Sequence, residues 1–310
     1  MSRDKHAFAS ETRAVESASI PPIVTLLGFF VAIVSLRAFD LFVLRVDSWP
    51  DPTIVSKSLG LLLVLWYLHS VQSHVRSVGL HTRNAPYAVG VGGLSPLVIF
   101  ASLYAIEFCV LRVDGETPRV VLGVIDARTG AAVAGTVFLS VYFAGQVLNA
   151  FTEECIFRGI LLPQFMRRMS FWKANLAQAL LFAIAHLVWP MSSWALGRVT
   201  LPEACAEAGL LLVFTAVGGL VFGYLYYRTN SLWTPLLAHL IDNSLWLFIH
   251  IETSTRVNAE GDVAILARVG FLSLVPIAWF VTKRSRVAPL RPWGTKDTPE
   301  HFAPADGGSR

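Results

Sequence analysis

The sequence predicts an all-α fold, a polytopic membrane helix bundle of about eight transmembrane helices, on three observations. Of its 310 residues, 54% are hydrophobic and only 15% charged, which is far more apolar than a soluble domain of that length. The mean hydropathy is +0.57. The apolar residues gather in runs of roughly 20, the length a helix needs to cross the hydrocarbon core, and the segments between them are short.

Residues 1–21 mix charge with serine and read as a cytoplasmic N-terminal tail. The apolar run that follows is too long for a signal-peptide core, so no cleaved leader is expected. Spans are expected at 22–44, 55–72, 87–110, 130–162, 172–189, 207–227, 232–251 and 264–282. The fourth is long enough to tilt or to continue past the membrane. The longest polar connection is 111–129, and 22–282 reads as one membrane domain. Residues 283–310, polar and rich in Pro and Gly, read as a disordered cytoplasmic tail.

Orientation follows from Lys and Arg, which are retained on the cytoplasmic side. With both tails inside, that side collects 15 of the 25 basic residues against 7 outside, with Arg37, Arg158 and Arg268 falling within spans. Both termini are therefore expected to be cytoplasmic, and the membrane is expected to be a bacterial cytoplasmic one. A net charge of +4 then describes an inner face suited to anionic lipid; the lipid bilayer is a partner and nucleic acid is not. Cys109, Cys155 and Cys205 are scattered, with no C-x-x-C pair to suggest a disulfide framework or a thiolate metal site.

Against this apolar background the stretch NAFTEECIFRGILLPQF, 149–165, stands out. An ionisable side chain at the centre of a spanning helix costs about 2.5–3.5 kcal/mol on insertion scales and normally faces a bundle interior. Glu154 and Arg158 are four apart, so they share a helical face and are expected to pair. Glu153 points about 100° away and is expected to be left free. Gln146 and Asn149 extend a polar stripe up to Glu153. Two further spans place such groups at one-turn spacing on one face: His186 with the apolar Phe182 in LFAIAHLVW, and His239 with Asn243 in LLAHLIDNSLW. At 1.5 Å per residue from the cytoplasmic ends, Glu153 lies roughly 18 Å deep, His186 about 21 Å, His239 about 10 Å and Asn243 about 16 Å. They are expected to share one layer. Arg37 and Asp40, three apart in the first span, read as a structural ion pair, and His250 as a residue near the outer end of its span.

The three motifs E-E-x-x-x-R, F-x-x-x-H and H-x-x-x-N resemble the CPBP family of intramembrane endopeptidases, which includes CAAX prenyl proteases and bacterial relatives, some linked to bacteriocin immunity. The resemblance covers about 149–245 within a motif core of about 130–251. It implies an intramembrane protease domain that hydrolyses peptide bonds of membrane-associated or C-terminal substrates, CAAX-like or sorting-signal peptides, by glutamate-activated water. Glu153 matches the general base and His186 the histidine that assists it. His239 and Asn243 match the groups that stabilise the oxyanion, while Glu154 and Arg158 organise the site with Phe182 in support. No cofactor is implied; two histidines and two carboxylates leave zinc as the rival arrangement, although H-E-x-x-H is absent. A non-catalytic scaffold, regulator or immunity protein is the alternative, with Gly219 and Gly223 forming a small-residue face for helix contact. An ion or proton carrier would also use buried Glu and His. Oligomeric state is not encoded in any motif.

Reporter fusions at the two ends test the topology. Both are expected to report the cytoplasmic side, and an external C-terminus would show that the number of spans is odd.

Overall fold

The computed structural model describes residues 23–45, 53–70, 75–125, 132–133, 135–253 and 269–290; the whole expected N-terminal tail, the C-terminal tail beyond 290 and Arg268 lie outside the described residues. The order of helices is α1 (Ile23–Phe39), α2 (Ile54–Ser70), α3 (Ser95–Val113), α4 (Thr136–Glu154), α5 (Phe171–His186), α6 (Leu201–Thr229), α7 (Trp233–Phe248) and α8 (Leu274–Arg284). Several of these, α1 above all, are rich in β-branched and aromatic residues that would make indifferent helices in water. In lipid the backbone must satisfy its own hydrogen bonds, and a helix does so within one segment.

Among the described residues four rods are long and apolar enough to cross a membrane: Val24–Leu44, Ala85–Val113, Phe171–Ala195 and Leu201–Thr229. The structure thus supports a helical membrane protein without supporting a count of eight spans. The shortfall has physical reasons. Helix α2 is apolar but only 17 residues long. Helix α4 is diluted by Gln146, Asn149, Glu153 and Glu154. Helix α7 has 16 residues and ends where the chain turns extended at Ile249. Large apolar side chains face outward all over the bundle, including Val24, Leu62, Trp66, Val98, Leu210 and Val213, whereas Glu154 and Arg158 are fully buried. Charge inside and hydrocarbon outside is the arrangement a bilayer selects.

Three helices change pitch. Wide π turns occupy Asp40–Leu44 after α1, Ala88–Leu94 before α3 and Cys155–Leu161 after α4. Two of these precede a proline, Pro96 and Pro163, at the start of the next helical stretch. Proline has no N–H to give to the carbonyl four residues back and crowds it, so the preceding turn widens. Helix α4 then continues as Leu162–Met166.

Four short strands cap one end. β1 (Arg119–Leu122) pairs antiparallel with β4 (Ile249–Glu252), and β2 (Val124–Ile125) with β3 (Ala132–Val133). The expected seventh span, 232–251, is corrected here, because its last residues leave the helix to join β1. His250 is buried at this end and its Nε2 donates to Gly123 O at 2.9 Å. At the opposite end the expected tail also begins later than 283. Helix α8 runs to Arg284, and Leu290 N donates to Tyr227 O at 2.8 Å.

Among the described residues the core has two large clusters, besides a small one of Leu111 and Ile251. One gathers Phe29, Phe30, Tyr67, Phe157 and Phe182 around α1, α2 and α4; the other gathers Phe100, Val221, Phe222, Phe271 and Leu274 around α3, α6 and α8. Helices α5 and α6 join them at very close range. A Cβ on Gly219 would lie 2.9 Å from Ala179 Cβ and 3.0 Å from its Cα, and one on Gly223 would collide with Asn175 Oδ1. Side-chain amides bind this seam, with Asn175 Nδ2 donating to Leu220 O at 3.0 Å and Gln178 Nε2 to Gly219 O at 2.9 Å. The small-residue face expected to serve an external partner is therefore occupied by α5.

Gly219→Val is expected to lower stability by about 1–3 kcal/mol, the usual cost of overpacking, read as a lower melting temperature in detergent. Gly209→Ala in the same helix, where a Cβ meets nothing within 4 Å, is expected to be neutral or slightly stabilising.

Candidate active site

Helix α4 delivers both glutamates in its last turn, and the wide turn that follows carries Arg158. Arg158 Nη1 donates to Glu154 Oε1 at 2.7 Å, with neither side chain exposed. The expected i,i+4 pair is present. The guanidinium is held between two rings, its carbon 4.4 Å from the Phe182 centroid and 5.3 Å from that of Phe222. These rings belong to different core clusters, so the arginine sits where the clusters meet. Its Nη2 donates weakly to Gly219 O at 3.4 Å.

Helix α7 brings His239 to the same carboxylate. Its Nδ1 lies 2.8 Å from Glu154 Oε1 and its Nε2 3.7 Å from Glu153 Oε2. An ionised carboxylate only accepts, so Nδ1 carries the proton. The ring stacks on Phe222 at 5.1 Å and meets Phe182 edge-on at 6.1 Å. His186, on α5, has Nδ1 2.7 Å from Phe182 O. A carbonyl also only accepts, so His186 donates from Nδ1 and its neutral ring turns a lone pair on Nε2 elsewhere.

Glu153 is not free, which corrects the sequence reading. Arg37 Nη1 donates to Glu153 Oε1 at 2.8 Å and Arg37 Nη2 to Asn149 Oδ1 at 3.1 Å. The expected Arg37–Asp40 pair is replaced. Asp40 Oδ2 instead accepts from Ser56 N at 2.6 Å, in the first turn of α2, where backbone donors lack helical partners and the helix end attracts negative charge. Because Glu153 belongs to a buried ion pair of its own, Glu153→Gln is not a stability-neutral change.

Two cavities border these groups. A small one of ≈ 20 Å³ is lined by Arg37, Ser56, Lys57, Thr152, Glu153 and His186 among others. That is room for about one water. A larger one of ≈ 280 Å³ is lined by Phe182, His186, His239, Asp242 and Asn243 at its polar side and by apolar residues of α6 and Val269–Leu272 elsewhere. His186 borders both. Asn243 reaches the larger cavity only. Every residue singled out by the motifs thus lies in one connected neighbourhood, with Glu153, Glu154, Arg158 and His239 in direct polar contact or close to it. Arg37 and Phe222 are the members that motif reading did not place there. Among the described residues no group of three or more His, Cys, Asp or Glu side chains is placed to hold a metal ion.

Residues 135–245 match the family model described as type II CAAX prenyl endopeptidase Rce1-like. The chain resembles the CPBP family of membrane peptidases. It is 27% identical over 150 residues to the putative membrane peptidase YdiL of Bacillus subtilis (strain 168), which covers 48% of this chain and 49% of that protein. It is 28% identical over 102 residues to human CAAX prenyl protease 2, covering 33% of this chain and 31% of that protein. The aligned stretches thus span about half the length of the first relative and about a third of the second. No solved structure matches. The family-matched segment contains both glutamates, Arg158, Phe182, both histidines and Asn243; Arg37 lies outside it.

Removing one partner of a buried ion pair costs about 3–5 kcal/mol, so Glu154→Gln is expected to lower thermal stability strongly. Adding Arg158→Met is expected to recover part of the loss, since the pair of changes removes the stranded charge. A double variant no more stable than Glu154→Gln alone would show that Arg158 is held by something other than Glu154.

Proposed function

We propose that this protein is an intramembrane endopeptidase that cleaves membrane-associated or C-terminal peptide substrates with a water activated by Glu153. One observation carries the proposal. Glu153 Oε2 is buried, makes no hydrogen bond among the described residues, and belongs to a residue lining the water-sized cavity whose other wall includes His186. Because His186 also lines the larger cavity, water and a bound peptide can meet beside one imidazole.

The chemistry balances with these side chains. Glu153 takes a proton from water as its oxygen attacks the scissile carbonyl carbon. The carbonyl oxygen becomes an oxyanion, for which the Asn243 amide is the donor at the larger cavity, joined by His239 Nε2 when that ring takes up a second proton. Such donors in a water-poor site are worth about 2.7–4 kcal/mol each. Collapse breaks the C–N bond, and the proton passes from Glu153 to the leaving amine, with His186, which lines both cavities, as the relay. Glu154 and Arg158 fix His239 and do not touch the reacting atoms. The mechanism draws on no metal, and the substrate enters as a peptide with an apolar segment that suits the lining of the larger cavity. Gly219 and Gly223 face α5, so this pair offers no open surface for the partner that a scaffold would bind.

Proteoliposomes containing the purified protein, presented with a quenched fluorescent peptide library, test this reading. Glu153→Gln is expected to reduce cleavage per folded molecule by at least about 10²-fold, the usual scale of general-base removal. Chelators are expected to leave the wild-type rate unchanged. Cleavage by Glu153→Gln at the wild-type rate would reject Glu153 as the base.

A further inference from the structure

Resting on this peptidase reading, we infer that Arg37, from the first helix and outside the family-matched segment, is the positioning residue that orients the Glu153 carboxylate for catalysis. Four observations converge. The Arg37 guanidinium is buried and forks across one turn of α4, one prong on Glu153 Oε1 and the other on Asn149 Oδ1. The two acceptors are four residues apart, so the planar fork fixes the carboxylate against the rigid amide below it. This geometry is available to arginine and not to a lysine ammonium. Next, the fork consumes Oε1 and leaves Oε2 as the oxygen without a hydrogen bond, on the side of His239 Nε2. Arg37 therefore selects which oxygen of Glu153 receives a proton.

Arg37 also lines the same small cavity as Glu153 and His186, so it stands at the water's side of the carboxylate. Finally, its own position is secured. The helix widens into a π turn at Asp40, three residues on, and Asp40 is tied to the first turn of α2 through Ser56 N. π turns recur where a helix must present a functional group, and the matching turn after α4 begins directly beyond Glu154. A positioning role predicts a loss in turnover rather than in substrate binding, since Arg37 is absent from the larger cavity.

The test uses the whole 310-residue chain in proteoliposomes and a quenched fluorescent peptide that the wild type cleaves. Arg37→Met and Arg37→Lys are compared with Glu153→Gln for kcat, KM and melting temperature. Arg37→Met is expected to lower kcat by at least about tenfold, the scale set by small misplacements of a reacting group, with KM changed less than about twofold. Arg37→Lys is expected to fall between Met and wild type. Arg37→Ala, which opens the small cavity further, is expected to regain turnover when millimolar guanidinium is added, and Arg37→Ala combined with Glu153→Gln is expected not to. Wild-type kcat in a folded Arg37→Met, alongside an inactive Glu153→Gln, overturns the role of Arg37 and leaves the peptidase reading standing. Wild-type kcat in Glu153→Gln overturns that reading itself. Should Arg37→Met fail to fold, Arg37→Lys decides: a reduced kcat at constant KM supports positioning, and an unchanged kcat refutes it.

Discussion

The structure is organised around two buried arginine–glutamate pairs held inside an apolar bundle. An unpaired charge at that depth would be far more costly than any packing gain could offset, so Arg37 must meet Glu153 and Arg158 must meet Glu154. The four charges sum to zero, which lets the surrounding side chains stay apolar. Much else follows from bringing these partners together. Helices α1 and α4 must converge, and α4 must accept enough polar residues to dilute its apolar run. Phe182 and Phe222 must both close over the Arg158 guanidinium, which ties the two large core clusters to one cation. Cation–π contacts of this kind strengthen when the groups are desolvated.

The backbone supplies the approach these pairs need. Gly219 and Gly223 bring α6 against α5 at a distance that any side chain would prevent. That contact places Phe222 and the Gly219 carbonyl within reach of Arg158. Pro163 widens the turns that carry Arg158, and the amides of Asn175 and Gln178 hold the seam with hydrogen bonds to α6 carbonyls. Interhelical hydrogen bonds of this sort are each modest in a membrane. Here they set register rather than supply the bulk of the stability, because the same seam fixes where Arg158 and Phe222 stand.

What the sequence made legible was local. Spacing of four put Glu154 with Arg158, Phe182 with His186 and His239 with Asn243 on shared faces, and the structure keeps all three relationships within one neighbourhood. What it hid was distant. Arg37 meets Glu153 across 116 positions, and no periodicity in α1 announces it. The nearer acid, Asp40, was a reasonable partner by spacing, yet it sits where α1 widens and where the start of α2 offers an uncommitted N–H. The strand at Ile249–Glu252 was hidden for a related reason. Its residues are apolar enough to prolong α7, and only the edge of β1, more than a hundred residues earlier, gives its backbone another set of hydrogen bonds. A count of eight spans is left without support among the described residues because α2 and α7 are short and the polar residues near the site dilute α4.

The two glutamates also show why pairing alone cannot assign their roles. Each gives Oε1 to an arginine, and each leaves Oε2 buried without a hydrogen bond among the described residues. On charge and burial they are near equivalents. They differ in what lies beside them. Glu153 lines a cavity the size of one water and faces His239 Nε2 with its second oxygen. Glu154 lines neither cavity, and its first oxygen already accepts from both Arg158 and His239 Nδ1. A base must be reached by the water it deprotonates, whereas an organising group is better kept from it. Access, created by the gap between α1, α2 and α4, is therefore what separates two adjacent and otherwise similar carboxylates.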